Sequence, residues 1–340
     1  MSPAILALET SCDETAAAVC GLDGRILSSK LHSQIPIHRQ YGGIVPEVAS
    51  RSHVTRVRPL VEAVLEEAGM GLADVAAYAA TCGPGLVSSL LIGTSMAKAL
   101  AVAENKPFLA INHMEAHLLS PFVERGDVTP ALGLIVSGGH TMLVQIHAVG
   151  RYSLLGRTRD DAAGECMDKV ARMLGLPYPG GPEIDRIVRE QGGDAAAFDF
   201  PRSRLPDAPL DFSFSGLKTA VLYTLPKIDL QAPGVMASVC ASVQEAVVDV
   251  LVEKTLLAAK KLKQRVIAIS GGVSCNTRLR TKMREACDRE GLELLLAAPS
   301  LCTDNAGMVA FAAAQRFRSG YSSPLTQEVD PHWRLESGDR

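Results

Sequence analysis

The sequence predicts an α/β chain built from two similar halves in tandem, and three observations predict it. A length of 340 residues exceeds one ordinary core and suits two domains of about 150 residues each. Apolar residues make up 47% but aromatics only 4%, so Ala, Val, Leu and Gly carry the apolar content, a mix that favours helices packed on buried strands. Finally, one local pattern, strand–polar turn–strand–turn–strand, occurs twice.

The first copy is an apolar run at residues 5–8, the turn Thr10-Ser11-Cys12-Asp13-Glu14-Thr15, a second run at 16–19, the tight turn Asp23-Gly24, and Ile26-Leu27. The second is the run 131–136, the turn Ser137-Gly138-Gly139-His140, the run 141–146, a turn at Gly150, and the run 152–155. The repeat is one of architecture rather than of letters, and it reads as two alike domains. A polar stretch leading to Pro130 sets the boundary: residues 1–125 form the first domain, 126–303 the second, a helix at 304–320 completes the first, and 321–340 are a loose tail. Between the repeats, Val54, Val57, Leu60, Val61, Val64, Leu65 and Ala68 fall at helical spacing before Gly69, and residues 87–103 predict a second helix; in the second half, residues 235–262 predict a long one. Residues 266–269 and 292–297 predict buried strands.

The net charge of −3 carries no basic footprint, so any contact with nucleic acid needs a local patch or a partner protein. Two basic stretches, Lys260-Lys261-Lys263-Arg265 and Arg278-Arg280-Lys282-Arg284, are candidates, though each also suits a solvated helix face. The eight cysteines form no Cys-x-x-Cys pair and read as free thiols of a reducing compartment. Residues 1–8 lack the basic start of a secretion signal, and no apolar run approaches the ~20 residues of a membrane span, so the expectation is a cytoplasmic protein without membrane association.

Three groups of residues carry chemistry. Small turns after strands expose backbone N–H groups and admit a phosphate: Ser137-Gly138-Gly139 is one, and Gly271-Gly272, after the strand at 266–269 and before a helix near Asn276, is another. His113 and His117 lie four apart, which on a helix puts them on one face about 6 Å apart, able to chelate one transition metal. Asp304, in a polar turn before an apolar helix, is either the third ligand or that helix's N-cap. Glu115 lies about 200° around the helix from His113, which argues against a zinc-protease arrangement. In Asp160-Asp161-Ala162-Ala163-Gly164-Glu165-Cys166-Met167-Asp168-Lys169, helix capping explains the first two carboxylates but not Asp168; with the glycine-rich loop Tyr178-Pro179-Gly180-Gly181-Pro182 and Asp185 following, it suits the hydroxyls of a ribose.

These stretches, with Leu8-Glu9-Thr10-Ser11-Cys12-Asp13-Glu14-Thr15, Tyr41-Gly42-Gly43-Ile44-Val45-Pro46-Glu47, Phe212-Ser213-Phe214-Ser215-Gly216-Leu217-Lys218 and Thr303-Asp304-Asn305, resemble the universal tRNA threonylcarbamoyladenosine synthase catalytic-subunit family (TsaD), once labelled a glycoprotease. The resemblance runs in order along nearly the whole chain; Ser88 stands where the family pattern has glycine. It implies the duplicated fold of actin, sugar kinases and Hsp70-type ATPases, with a nucleotide cleft between domains. It implies one Fe2+ or Zn2+ held by His113, His117 and Asp304, and substrate contacts from Ile135, Val136, Ser137, Gly138, Gly139, Asp168, Gly181, Asp185 and Asn276. The donor it implies is threonylcarbamoyl-adenylate, an adenine nucleotide made elsewhere from ATP and leaving as AMP. The acceptor is tRNA, and the partners are a paralogous non-catalytic subunit (TsaB-like) and a small ATPase (TsaE-like). The acceptor amine is a poor nucleophile, so a proton acceptor is expected among Asp13, Glu14 and His140, with Asp13 preferred for its place in the first turn. Two other readings stay open: a sugar or carboxylate kinase of the same fold, and a nucleotide-gated scaffold without chemistry.

Overall fold

A computed structural model describes residues 3–39, 41 and 43–335. Gly42 of the 41–47 motif lies outside the described residues, as do positions 336–340 of the expected tail. The chain divides into two units: Met1–Thr129 with His147–Tyr152 and Ala297–Arg340, and Pro130–Ile146 with Ser153–Leu296.

The first unit contains β1 (Ala4–Glu9), β2 (Glu14–Gly21), β3 (Ile26–Ser33), α1 (Ile35–Arg39), α2 (Pro46–Ala68), β4 (Val75–Gly83), α3 (Val87–Ala103), β5 (Phe108–Asn112) and α4 (His113–Leu119). Its sheet runs β3-β2-β1-β4-β5, with β1–β2 and β2–β3 antiparallel and β1–β4 and β4–β5 parallel. Strand alternation decides what faces where. Ala4, Leu6 and Leu8 join α2 and α3 residues such as Val61, Val64 and Ala97 in one apolar core. Ile5, Ala7 and Glu9 therefore point to the opposite face of the sheet.

The second unit contains β6 (Ala131–Val136), β7 (Thr141–Ala148), β8 (Arg151–Arg157), α5 (Ala163–Met173), α6 (Gly180–Gln191), α7 (Ser215–Thr224), α8 (Val235–Leu262), β9 (Val266–Ser270), α9 (Thr277–Glu290) and β10 (Glu293–Leu296). Its sheet runs β8-β7-β6-β9-β10, again with one antiparallel and one parallel neighbour on the first strand. The two sheets share one topology, strand for strand, which is the duplication the turns announced. The chain then returns to the first unit through α10 (Ala306–Arg318), which packs on β1 and β2.

Two expectations change. The segment read as a loose tail is packed as far as it is described: Ser323 N donates to Phe108 O, Asp330 N donates to Cys82 O, and Trp333 rests on the apolar core of the first unit. Among the described residues one helix, α8, is long and apolar enough to cross a membrane, contrary to the sequence estimate; 72% of its apolar window is buried, because it belongs to the second unit's core. All eight cysteines are free thiols.

Candidate functional site

The first cluster is built on α4. Asn112 ends β5 and caps this helix, its side chain accepting from Met114 N (2.8 Å) and Glu115 N (3.2 Å). The cap fixes where the helix starts, so His113 and His117 sit one turn apart with ring centroids 4.7 Å apart. Asp304 meets them from the turn before α10. The cap of α10 is Asn305, which accepts from Met308 N at 2.9 Å, so Asp304 does not cap that helix. Its Oδ1 lies 3.1 Å from His117 Nε2 and 3.4 Å from His113 Nε2. Two bonds of about 2.1 Å at tetrahedral or right angles separate their donor atoms by about 3.0–3.4 Å, so this spacing suits one first-row divalent metal.

Behind His113 lies Glu9, fully buried. Its carboxylate accepts from Ser11 N (2.5 Å), Thr81 Oγ1 (2.6 Å) and His113 Nδ1 (3.0 Å). The electrostatics are tightly coupled. Burial acts against ionisation of both Glu9 and Asp304, yet the neighbouring imidazoles outweigh it and hold Glu9 below, and Asp304 well below, the usual carboxylate range. Burial likewise acts to lower His113, but the Asp304 and Glu9 carboxylates raise it well above an ordinary histidine. His117 moves down, through burial first and the charge of His113 beside it.

Glu115 faces away from this cluster. It is bonded by Arg316 Nε (2.9 Å) and Tyr152 Oη (2.6 Å), so it braces α10 against α4. Asp13 ends the turn after Glu9, and Glu14 opens β2. His53 Nε2 donates to Cys12 O (3.0 Å) while its Nδ1 accepts from Thr15 Oγ1 (2.8 Å), which fixes the turn from below. Asp13 is raised by burial and then by the charge of Asp304. Burial pushes Glu14 up to about 8, against the hydrogen bond from Ser33.

The second cluster lies in the second unit. Ile135 and Val136 are buried at the end of β6, and Ser137–His140 form the connection to β7, with Ser137 N donating to His140 O (2.8 Å) and His140 N to Ser137 Oγ (3.1 Å). Gly138 and Gly139 are exposed, and a Cβ on either would meet nothing within 4 Å. Gly271, at φ +90°, is different: a Cβ there would lie 2.3 Å from Val136 O, so glycine is required for the close approach of the chain after β9. Gly272 opens the short 3-10 turn that leads to Asn276.

Around these turns the carboxylates hold backbone. Asp168 Oδ1 accepts from Gly180 N (2.7 Å) and Gly181 N (3.1 Å) at the start of α6. Asp185 accepts from Thr277 N and Thr277 Oγ1 (3.0 Å each), tying α6 to the start of α9. Asn276 caps α9 by accepting from Leu279 N (3.0 Å), and its Nδ2 is buried without a partner among the described residues. Asp160 does not cap its own helix, whose N-cap is Ala162; it accepts from Phe214 N (2.8 Å) and both Ser213 and Ser215 hydroxyls, so it caps α7 instead. Asp161 pairs with Lys169 and Lys218. His140 faces a hollow of about 470 Å³ lined also by Arg157 and Arg159.

The structure thus gathers His113, His117, Asp304, Asp13 and Glu14 in one unit, and Ser137, Gly138, Gly139, His140, Asp168, Gly181, Asp185, Gly271, Gly272 and Asn276 in the other. Glu9 is the residue that sequence reasoning passed over; its signal was a carboxylate ending an otherwise apolar strand. Of the two basic stretches, the 278–284 one is partly neutralised, since Arg278 and Lys282 pair with Glu245 and Asp249, whereas Lys260, Lys261, Lys263 and Arg265 are exposed.

Solved structures with this architecture include component A of the (R)-2-hydroxyglutaryl-CoA dehydratase of Acidaminococcus fermentans (TM-score 0.52, 14% identity, 92% of this chain and 99% of that one). Another is full-length HypF in a phosphate- and nucleotide-bound form (TM-score 0.63, 12% identity, 93% of this chain and 55% of that one). These likenesses show the fold, the actin-like ATPase architecture. Sequence relatives are far nearer. A tRNA N6-adenosine threonylcarbamoyltransferase of Anaeromyxobacter sp. (strain Fw109-5) is 51% identical over 97% of this chain and 99% of its own length. One from Pelobacter propionicus is 46% identical over 98% and 97%. The family model TsaD, tRNA N6-adenosine threonylcarbamoyltransferase, matches residues 25–311. With a His–His–Asp cluster in one unit and an open glycine turn in the other, the chain belongs to the tRNA N6-adenosine threonylcarbamoyltransferase family.

Proposed function

We propose that this chain transfers the threonylcarbamoyl group of threonylcarbamoyl-adenylate to the exocyclic amine of the adenosine adjacent to the anticodon, in tRNAs reading codons that begin with adenine, releasing AMP. The observation that carries this reading is the His113–His117–Asp304 cluster in a chain of this family. Those three residues would hold one Fe2+ or Zn2+, and the ion would supply Lewis-acid polarisation of donor oxygens. Once His113 and His117 ligate as neutral imidazoles, a divalent ion would balance the two carboxylates beside them, Glu9 and Asp304.

The remaining work falls to the chain itself. The exposed Ser137-Gly138-Gly139 turn is open to an adenylate phosphate, and its backbone donors would stabilise the charge that AMP carries away. Asp168 and Asp185 would act by holding Gly180, Gly181 and Thr277 in place around the nucleotide, with the buried Nδ2 of Asn276 as a donor toward it. Asp13 is the proton acceptor: burial and Asp304 raise its affinity for a proton, which suits a base working near neutral pH. Glu14, at about 8, is protonated at neutral pH and so suits donation rather than acceptance. His140 has its backbone committed to the turn and faces the hollow beside it.

The kinase reading explains the glycine turns and leaves the histidine cluster without a task. We place the activity in the cytoplasm with tRNA as acceptor and a TsaB-like paralogue and a TsaE-like ATPase as partners; the exposed basic stretch at 260–265 is where RNA contact is expected. Reconstitution tests the reading: the purified chain with these partners, the enzyme that makes the adenylate, threonine, bicarbonate, ATP and tRNA should yield modified adenosine by mass spectrometry. Yield equal to that of a mixture lacking the chain would overturn it.

A further inference from the structure

We propose that Glu9 is the positioning carboxylate of the metal centre, fixing His113 in the tautomer that ligates; the inference rests on the metal assignment above. A carboxylate only accepts, so its contact with His113 Nδ1 requires that Nδ1 carry the proton. With Nδ1 so engaged, His113 can ligate a metal only through Nε2, the atom 3.4 Å from Asp304 Oδ1. Glu9 is itself immobilised by two donors that owe nothing to His113: the backbone N–H of Ser11 at 2.5 Å and the hydroxyl of Thr81 at 2.6 Å. Its orientation is therefore set by the β1–β2 turn and by β4, and it imposes that orientation on the imidazole. His117 has no such partner; its Nδ1 is buried without a hydrogen bond among the described residues. The geometric definition of the centre accordingly enters through His113.

Burial argues that this carboxylate is not there for folding alone. Glu9 ends β1 on the face of the sheet opposite the core formed with α2 and α3, fully buried, and an uncompensated buried carboxylate is costly. What compensates it is the imidazole it faces, together with the Ser11 and Thr81 donors. Carboxylate–histidine pairs of this kind raise the basicity of the ligand and hold its ring.

The test measures metal affinity directly, on the full chain, by competition of Zn2+ and Co2+ against a chromophoric chelator. Wild type should bind one ion, and His113→Ala should lose it. Glu9→Gln should weaken binding about 10- to 100-fold, because an amide can donate to Nδ1 and drive the proton onto Nε2. Long-range proton–nitrogen NMR of the zinc-loaded wild type should find the His113 proton on Nδ1, a readout that a merely structural Glu9 would not alter on substitution. If Glu9→Gln does not fold, Glu9→Asp carries the same measurement, since it keeps the charge but withdraws it from His113 by one methylene. Wild-type affinity in the folded Glu9 variant, with metal lost in His113→Ala, overturns the role of Glu9 and leaves the metal site standing. Wild-type affinity in His113→Ala as well overturns both.

Discussion

The connection after β1 and the connection after β6 are each four residues long between strands of the same topology, and they are built to opposite ends. In the first, Thr10 and Ser11 are buried: Thr10 Oγ1 donates to Ser89 O and accepts from Gly93 N, Leu86 N donates to Ser11 O, and Glu9 turns beneath them toward His113. In the second, Gly138 and Gly139 stand in solvent with nothing above them. One copy has filled the space at the strand end with titratable side chains; the other has kept it bare. The difference shows how a duplicated frame divides labour: a packed turn fixes charged groups, and an empty turn leaves backbone within reach of a ligand.

The largest effect expected from breaking this division concerns Glu115, which belongs to the frame rather than the chemistry. Glu115→Ala leaves Arg316 and Tyr152 without their shared acceptor, and removing one partner of a buried pair costs about 3–5 kcal/mol. Chemical denaturation should show that loss while elemental analysis finds unchanged metal per folded chain; lost metal with unchanged stability would return Glu115 to the centre.

Glycines sharpen the contrast inside the second unit. Gly271→Ala forces a side chain into positive φ and against Val136 O, and the strain alone costs about 1–3 kcal/mol. The Cβ of Gly138→Val meets nothing within 4 Å, so the melt should stay near the wild-type value while calorimetry shows adenine-nucleotide affinity weakened more than tenfold. Unchanged affinity in Gly138→Val would make the second turn as structural as Gly271.

A smaller effect is read through pH. Glu14 is raised by burial from an unfolded value of 4.5 to about 8, so between these values the folded state holds a proton that the unfolded state has released. Stability from this group is then highest at acid pH and falls as pH rises from about 4.5 to about 8. Glu14→Gln removes that dependence, and the difference in melting temperature between variant and wild type should grow in the variant's favour across the window. A constant difference would mean that Glu14 is ionised throughout.

Much of this was legible in the chain. The duplicated sheet followed from two polar turns between apolar runs, because the side-chain period of a strand is local. The shared face of His113 and His117 followed from helical spacing, and the outward turn of Glu115 from the same arithmetic. Long-range partnerships were not legible. Whether Asp304 capped α10 depended on its neighbour Asn305 taking that role. Asp160 sits before one helix and caps another 54 residues on. Glu9 acquires its meaning from Thr81 and His113, 72 and 104 residues away, and no periodicity connects them. The fixing of Trp333 on the first core is of the same kind.

The central claim is that transfer depends on the cluster of the first unit, and the most direct measurement is modified adenosine per tRNA, by mass spectrometry, for His117→Ala and Asp304→Ala beside a thermal melt of each. A metal with two protein ligands loses its fixed geometry, and a misplacement of ~1 Å costs about a hundredfold in rate. The account predicts that both variants lose transfer at least that far while their melts stay near the wild-type curve, because the fold does not depend on a knot of four metal ligands. Full transfer by either variant in a folded, metal-free state would contradict it.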